Sequence, residues 1–262
     1  MFSTFVINLK SQEKRRSHME GQLHNANIVY ELIEAVDGRK YTPTQLEIDL
    51  ILAKKILGRE LGQGEIGCAL SHKKAYQKCI ESKYEYSLIL EDDVVISKNL
   101  KEIIEHQIQK PHTWEYLSFD YMRPGRLFLR FWIRSIKINF KKQENIAPKV
   151  IFILVSLIKA CYIIPLSIYE AMRDRCYKQR KNGRAVTFYR PLYLAGAYLI
   201  NKKTAEILLQ LASPIVYPAD MIQNIARDRG MKHRAYVPLS VEQNRVEFGS
   251  NILGVDSYPN SI

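Results

Sequence analysis

Cysteine is scarce in this chain: Cys68, Cys79, Cys161 and Cys176 are the four among 262 residues. None stands in a C-x-x-C pair, so the usual sequence signal of a zinc site is missing. There is no N-x-[ST] glycosylation acceptor, and Met1-Phe2-Ser3-Thr4 supplies no basic n-region ahead of a long apolar run. These absences fit a reducing cytosol. No segment reads as a membrane span, since the apolar stretch 150–165 is short and carries Lys159. No internal repeat and no recognised nucleic-acid motif occurs, which sets nucleic acid aside as a partner. Acidic residues are scarce in one place only. Residues 121–190 hold sixteen Lys/Arg against three Asp/Glu, while the whole chain carries +12. The excess charge therefore sits in one segment, which suits a polyanionic partner at one surface.

What is present is a core. Hydrophobic residues make up 47% of the chain, which excludes disorder throughout and suits one domain, 1–262, interrupted by the basic segment 121–190. Residues 4–9 read as a buried first strand and 10–24 as a helix with Met19 and Leu23 four apart. Residues 29–33 read as a second strand, followed by a turn at Asp37-Gly38. A loop at 61–64 opens a helix marked by Ile66, Ala69, Leu70, Tyr76 and Ile80. Residues 84–90 form a strand that ends on Glu91-Asp92-Asp93, and Ser97 is placed to cap a helix near Leu100. After the basic segment come a strand at 192–200 and helices at 202–212 and 220–229. The tail from Val246 reads as loop. Alternating strands and helices indicate an α/β layer with a largely parallel first half.

The three acids at a strand end are the first chemical signal. In an extended segment Glu91 and Asp93 point one way and Asp92 the other. Unpaired carboxylates repel, and a hard divalent cation relieves the repulsion while keeping positions open for phosphates. A strand's carboxyl end is also where ligands gather in open α/β sheets. By itself this cluster divides evenly between a metal site and a solvated acidic turn.

Further strings extend the signal. Asn8-Leu9 with Arg15-Arg16 behind it, Gly64-Glu65-Ile66-Gly67-Cys68-Ala69-Leu70-Ser71-His72, and Leu88-Ile89-Leu90-Glu91-Asp92-Asp93 stand in this order. Ala195-Gly196-Ala197-Tyr198-Leu199-Ile200 and Pro218-Ala219-Asp220 follow. In these strings the chain resembles glycosyltransferase family 25, the enzymes of lipooligosaccharide biosynthesis, with collagen galactosyltransferases as relatives. The resemblance covers almost everything except the basic segment. It implies a GT-A-like, Rossmann-like mixed sheet flanked by helices, with a basic helical insertion at 121–190. It also implies an inverting hexose transfer from a UDP-sugar, galactose first. UDP-glucose and a UDP-N-acetylhexosamine are alternative donors, and a non-catalytic membrane-binding protein on the same scaffold is the rival class.

The resemblance assigns roles as well. Glu91 and Asp93 hold a divalent metal, Mn2+ by preference, and Asp92 faces ribose or solvent. Asn8 and Leu9 end the strand beside the base and ribose. Arg15 or Arg16 meets the diphosphate, for which a guanidinium is suited; a solvated basic face is the alternative for each. Ser71 and His72 join the donor side, although a lone histidine is more often structural, and Cys68 reads as a packing residue. Inversion needs a base at the acceptor hydroxyl, and Asp220 is the candidate, with helix capping as its alternative role. Glu65 stands in reserve at a positive helix end. Gly196 and Ala197 admit the acceptor sugar, and Tyr198 either stacks on that sugar or belongs to the core.

Within the insertion, Arg123, Arg126, Arg130, Arg134, Lys137 and Lys141 recur at spacings of 3, 4, 4, 3 and 4. On a helix that is one basic stripe, with Leu127, Phe128, Phe131, Trp132, Ile133, Ile136 and Phe140 over the remaining surface. Such a helix suits an anionic lipid surface, the alternative being a packed subdomain with a solvated stripe. A lipooligosaccharide acceptor would place the protein peripherally on the cytoplasmic face of the inner membrane. Acceptor sugar, linkage and oligomeric state are not readable from these residues.

Overall fold

A computed structural model describes residues 1–110 apart from 43 and 45, then 113–121, 161, 165, 183–187 and 192–248. Its centre is a seven-stranded mixed sheet in the order β2-β1-β3-β7-β5-β8-β6. The strands are β1 (Ser3–Asn8), β2 (Glu31–Glu34), β3 (Tyr86–Glu91), β5 (Tyr116–Ser118), β6 (Arg184–Val186), β7 (Ala197–Asn201) and β8 (His233–Val237). β2, β1 and β3 run parallel, and the antiparallel β7 then separates β3 from β5. A small second sheet pairs β4 (Val94–Ile96) with β9 (Val241–Gln243).

Period-two alternation divides the core between the two faces of the sheet. Phe5, Ile7, Ile89, Tyr198 and Ile200 join one layer with helices α3 (Gln63–Glu81), α5 (Lys202–Leu211) and α6 (Ala219–Asp228). Val6, Leu88, Leu90, Ala197 and Leu199 join the other layer with α1 (Glu13–Asn25) and α4 (Leu100–Ile108). This α/β/α layering of a mixed sheet is the GT-A-like class expected from the sequence.

The sequence reading missed or misplaced several elements. A helix α2 (Leu50–Leu57), capped by the Asp49 carboxylate on the Leu52 N–H, fills a stretch that carried no assignment. Helix α4 is preceded by Asn99 at its cap, not by Ser97. The Ser97 carbonyl instead accepts the Leu100 N–H, and its buried Oγ finds no partner among the described residues. The tail expected as loop begins with a short helix, α7 (Arg245–Phe248), that returns to α1. β5, β6 and β8 are too short or too polar for a clear periodic signal, and partners distant in sequence hold them. β6 lies within the range assigned to the basic insertion and forms an edge of the main sheet. The stripe Arg123, Arg126, Arg130, Arg134, Lys137 and Lys141 lies outside the described residues. Among the described residues no helix is long and apolar enough to cross a membrane.

Candidate active site

The acidic turn is held from behind. Asp92 is buried and accepts from Asn8 Nδ2 at 2.7 Å and from an Arg15 guanidinium nitrogen at 3.0 Å. Arg15 shares one stripe of α1 with Met19 and Leu23, four residues apart each time, and this points it inward. The same nitrogen lies 3.5 Å from Asp93 Oδ2, and the other terminal nitrogen donates to the Phe248 carbonyl at 2.9 Å. Burial pushes the Asp92 pKa up despite the bonds from Asn8 and Arg15. Asp92 thus ties β1, α1 and the turn together. Asn8 and Arg15, assigned to the donor, direct their polar groups at Asp92. Arg16 is half-buried beside Arg15, and the Leu9 carbonyl accepts the Gln12 N–H that starts α1.

Glu91 faces the opposite way, as strand alternation requires. Its Oε1 lies 3.1 Å from His72 Nε2 and 3.7 Å from Cys68 Sγ, and its Oε2 lies 3.4 Å from Gln243 Nε2. Burial disfavours charge on Glu91, but the hydrogen bond and charge of His72 hold its pKa below the usual value. His72 Nδ1 meets Tyr198 Oη at 2.7 Å. Tyr198 is buried and stacked on Tyr116 with ring centres 4.8 Å apart. Both His72 and Tyr198 therefore stand inside the core and support the site from there, the structural alternative that the sequence offered for each.

The string around His72 now has a physical reading. Glu65 Oε2 accepts the Gly62 N–H at 2.8 Å, capping α3, and both its oxygens bind Arg59 at 2.7 Å. That double engagement leaves Glu65 poorly placed as a base. Ser71 Oγ accepts the Val36 N–H at 2.8 Å and donates to the Gly67 carbonyl at 2.6 Å, fixing the loop after β2. A Cβ on Gly67 would stand 2.5 Å from the Val36 carbonyl oxygen, so glycine permits that close approach.

Across β3 lies a second wall. The Glu91 N–H donates to the Gly196 carbonyl at 2.7 Å. The Gly196 and Ala197 N–H groups both donate to the buried Asp120, at 3.0 and 2.8 Å. Burial, together with the charges of Glu91 and Asp93, pushes the Asp120 pKa up to about 8. Asp220 lies in the first turn of α6, whose cap is Pro218, so capping does not account for it. Helix α6 packs in the same core layer as α3, the layer toward which Glu91 points, and the Asp220 charge is felt at Cys68, Tyr116 and Arg59. Farther along α6, Asn224 exchanges two hydrogen bonds with the Leu192 backbone, at 3.0 and 2.7 Å. Gln223 donates to the Leu194 carbonyl at 3.2 Å. These two amides hang the loop before β7 from the helix that carries Asp220.

Gly196 thus joins the Glu91 backbone to the Asp120 carboxylate, and the Glu91 and Asp93 charges reach Asp120. Asp120, Gln223, Asn224, Arg59 and Gln243 escaped the sequence reading. Asp120 left one trace: like Glu91, it follows a short apolar strand, Tyr116-Leu117-Ser118-Phe119. The carboxylate oxygens of Glu91 and Asp93 fit a hard divalent cation; the neighbouring Asp120 is driven toward its neutral form by burial first and by the Glu91 and Asp93 charges after it.

Comparison with known proteins identifies the relatives of this chain. Over 167 residues, 60% of this chain and 24% of the relative, the sequence is 33% identical to "Procollagen galactosyltransferase 2" of Homo sapiens. It is 27% identical to "Lipooligosaccharide biosynthesis protein lic2B" of Haemophilus influenzae, over 60% of this chain and 56% of that protein. It is 31% identical to "Probable inactive glycosyltransferase 25 family member 3" of Rattus norvegicus, over 47% of this chain and 22% of the relative. The matched region thus spans about a quarter to a little over half of these relatives. The family profile described as "Glycosyltransferase family 25 (LPS biosynthesis protein)" matches residues 1–223, and the chain belongs to that family.

Proposed function

We propose that this chain transfers a hexose, galactose from UDP-galactose in the first instance, to a sugar of a lipooligosaccharide acceptor with inversion. The observation that carries the reading is the convergence of Glu91, Asp93, Asp120 and Asp220 at the carboxyl end of β3, where a sheet of this class offers its ligand site. Asp93 and the open side of Glu91 are the residues to hold a divalent cation, Mn2+ by preference. When bound, that cation neutralises charge on the leaving nucleoside diphosphate. Asp220 takes the proton of the acceptor hydroxyl, while Gly196, whose side-chain space is filled by Asp120 and Val94, holds the chain beside Glu91. A cleft of about 540 Å³ beside Ala35, Val36, Asp37 and Tyr41 adjoins Asn8 through the Ala35 N–H bond to its carbonyl, and offers the nucleoside a seat.

The names of the relatives support galactose and the lipooligosaccharide acceptor. The basic segment 121–190 supports a place at the cytoplasmic face of the inner membrane, through its charge alone. The test is a donor screen with Mn2+, following nucleoside diphosphate release with and without acceptor. UDP-galactose should be consumed by the parent and not by Asp93→Ala. Equal rates in parent and variant would sink the metal assignment. Inertness toward every donor would leave the non-catalytic reading suggested by the name of the rat relative.

A further inference from the structure

Glu91 has two sides, and only one is used above. On the other side stand Cys68 and His72, four residues apart on α3 and therefore on one face of the helix. The metal-binding atoms of Cys68, His72 and Glu91 all lie within 4.8 Å of one another. Tetrahedral zinc, with bonds of about 2.0 Å to nitrogen and oxygen and about 2.3 Å to sulfur, sets N···O near ~3.3 Å and S···O near ~3.5 Å. The observed separations are 3.1 Å from His72 Nε2 to Glu91 Oε1 and 3.7 Å from Cys68 Sγ to Glu91 Oε1. Both separations lie within about 0.2 Å of that geometry, and His72 and Cys68 present their binding atoms within 4.8 Å of each other.

Three further observations agree. A thiolate, an imidazole and one carboxylate form a set that selects zinc or cobalt over magnesium or manganese. His72 Nδ1 is held at 2.7 Å by the Tyr198 hydroxyl, the outer hydrogen bond that orients a metal-binding imidazole. His72 is buried while Cys68 and Glu91 are partly exposed, so the cluster has an open side.

We propose that Cys68, His72 and Glu91 Oε1 form a three-ligand site for a borderline-soft divalent cation, Zn2+ or its spectroscopic substitute Co2+, with a fourth position left open. Binding forms bonds to Cys68 Sγ, His72 Nε2 and Glu91 Oε1 and releases the thiol proton to solvent. No electron is transferred. Affinity accordingly rises with pH. The site shares Glu91 with the oxygen-ligand site but does not use Asp93, and it stands whether or not the transferase reading does. The C-x-x-C rule had no view of it, because its second and third ligands are not cysteines.

The test is titration of the metal-free full chain with Co2+. The parent should develop a thiolate-to-cobalt charge-transfer band that saturates at one equivalent and is displaced by Zn2+. Cys68→Ser and Cys68→Ala should both lose the band, His72→Gln should weaken binding at least tenfold, and Asp93→Asn should keep the band. Thermal unfolding of each metal-free variant serves as the check on folding. Absence of the band in the parent overturns the proposal whatever the variants do, as does a band that survives Cys68→Ser. Asp93→Ala that retains transfer would sink the oxygen-site reading and leave this one standing.

Discussion

The two walls of the site, one proposed to face the donor and the other the acceptor, are built differently. On the donor side, β1, α1 and the acidic turn meet through Arg15, Asn8 and Asp92, charged or amide side chains that bond one another inside the protein. On the acceptor side, Asp120, Gln223 and Asn224 bind mostly backbone, holding the chain from Leu192 to Ala197 in place. The first arrangement fixes carboxylates. The second fixes the path of a loop and leaves Asp220 at the start of its helix. Loss of Arg15 on the first wall should therefore appear as lost stability, and loss of Asp220 on the second as lost chemistry.

The sharpest break of this comparison is Asp220→Asn. Loss of a general base should lower kcat by about 10²–10⁴-fold, with the KM for donor and the unfolding midpoint close to the parent values. A fall in stability equal to that of a core variant would give Asp220 to the architecture instead. Arg15→Met tests the other wall. It leaves Asp92 buried without its cation, and breaking such a pair costs about 3–5 kcal/mol. Denaturant unfolding should show that loss; a change below about 1 kcal/mol would mean that Asn8 alone holds Asp92.

Acid should separate the walls a second way. His233 on β8 is buried beside Ser118, and burial, together with the Arg227 and Arg234 charges, pushes its pKa from 6.5 down to about 3. The unfolded chain gains this proton near pH 6.5 and the folded chain only near pH 3. Between those values the unfolded state binds more protons, so stability falls as pH drops through the window, by an amount on the order of a few kcal/mol. His233→Gln should flatten that part of the pH–stability curve, and an unchanged slope would count against the assignment.

The same contrast explains what could be read from the sequence. The acids and the string around His72 are contiguous: Leu88 to Asp93 is one strand and its turn, and Glu65 to His72 is two turns of helix. Period-two and helical spacing therefore located the acids, the parallel start of the sheet and the layering on both faces. What escaped on both walls is which distant residues meet: Asn8 and Arg15 reach Asp92 across 84 and 77 positions. Asp120 meets Gly196 across 76 positions and Asn224 meets Leu192 across 32, so no local pattern records them. Roles were harder to read than places. Asn8, Arg15, His72 and Tyr198 do surround the site, but burial turns them from ligand contacts into supports, and burial is a property of the assembled layers.

The smallest expected effect tests whether the acceptor wall is as rigid as its hydrogen bonds suggest. A Cβ on Gly196 would stand 2.5 Å from Asp120 Oδ2 and 3.1 Å from Val94 Cγ1. Because the same Asp120 oxygen accepts the Gly196 N–H, it cannot retreat without losing that bond. Gly196→Ala should therefore cost about 1–3 kcal/mol, the range for overpacking a filled interior. Transfer should fall with it, since the Gly196 carbonyl also fixes the Glu91 N–H. Adding Asp120→Ser to Gly196→Ala shortens the opposing side chain and should recover part of the stability. If the single variant unfolds like the parent and transfers at the parent rate, the loop moves freely, and its bonds to Asp120 and α6 do not position the acceptor.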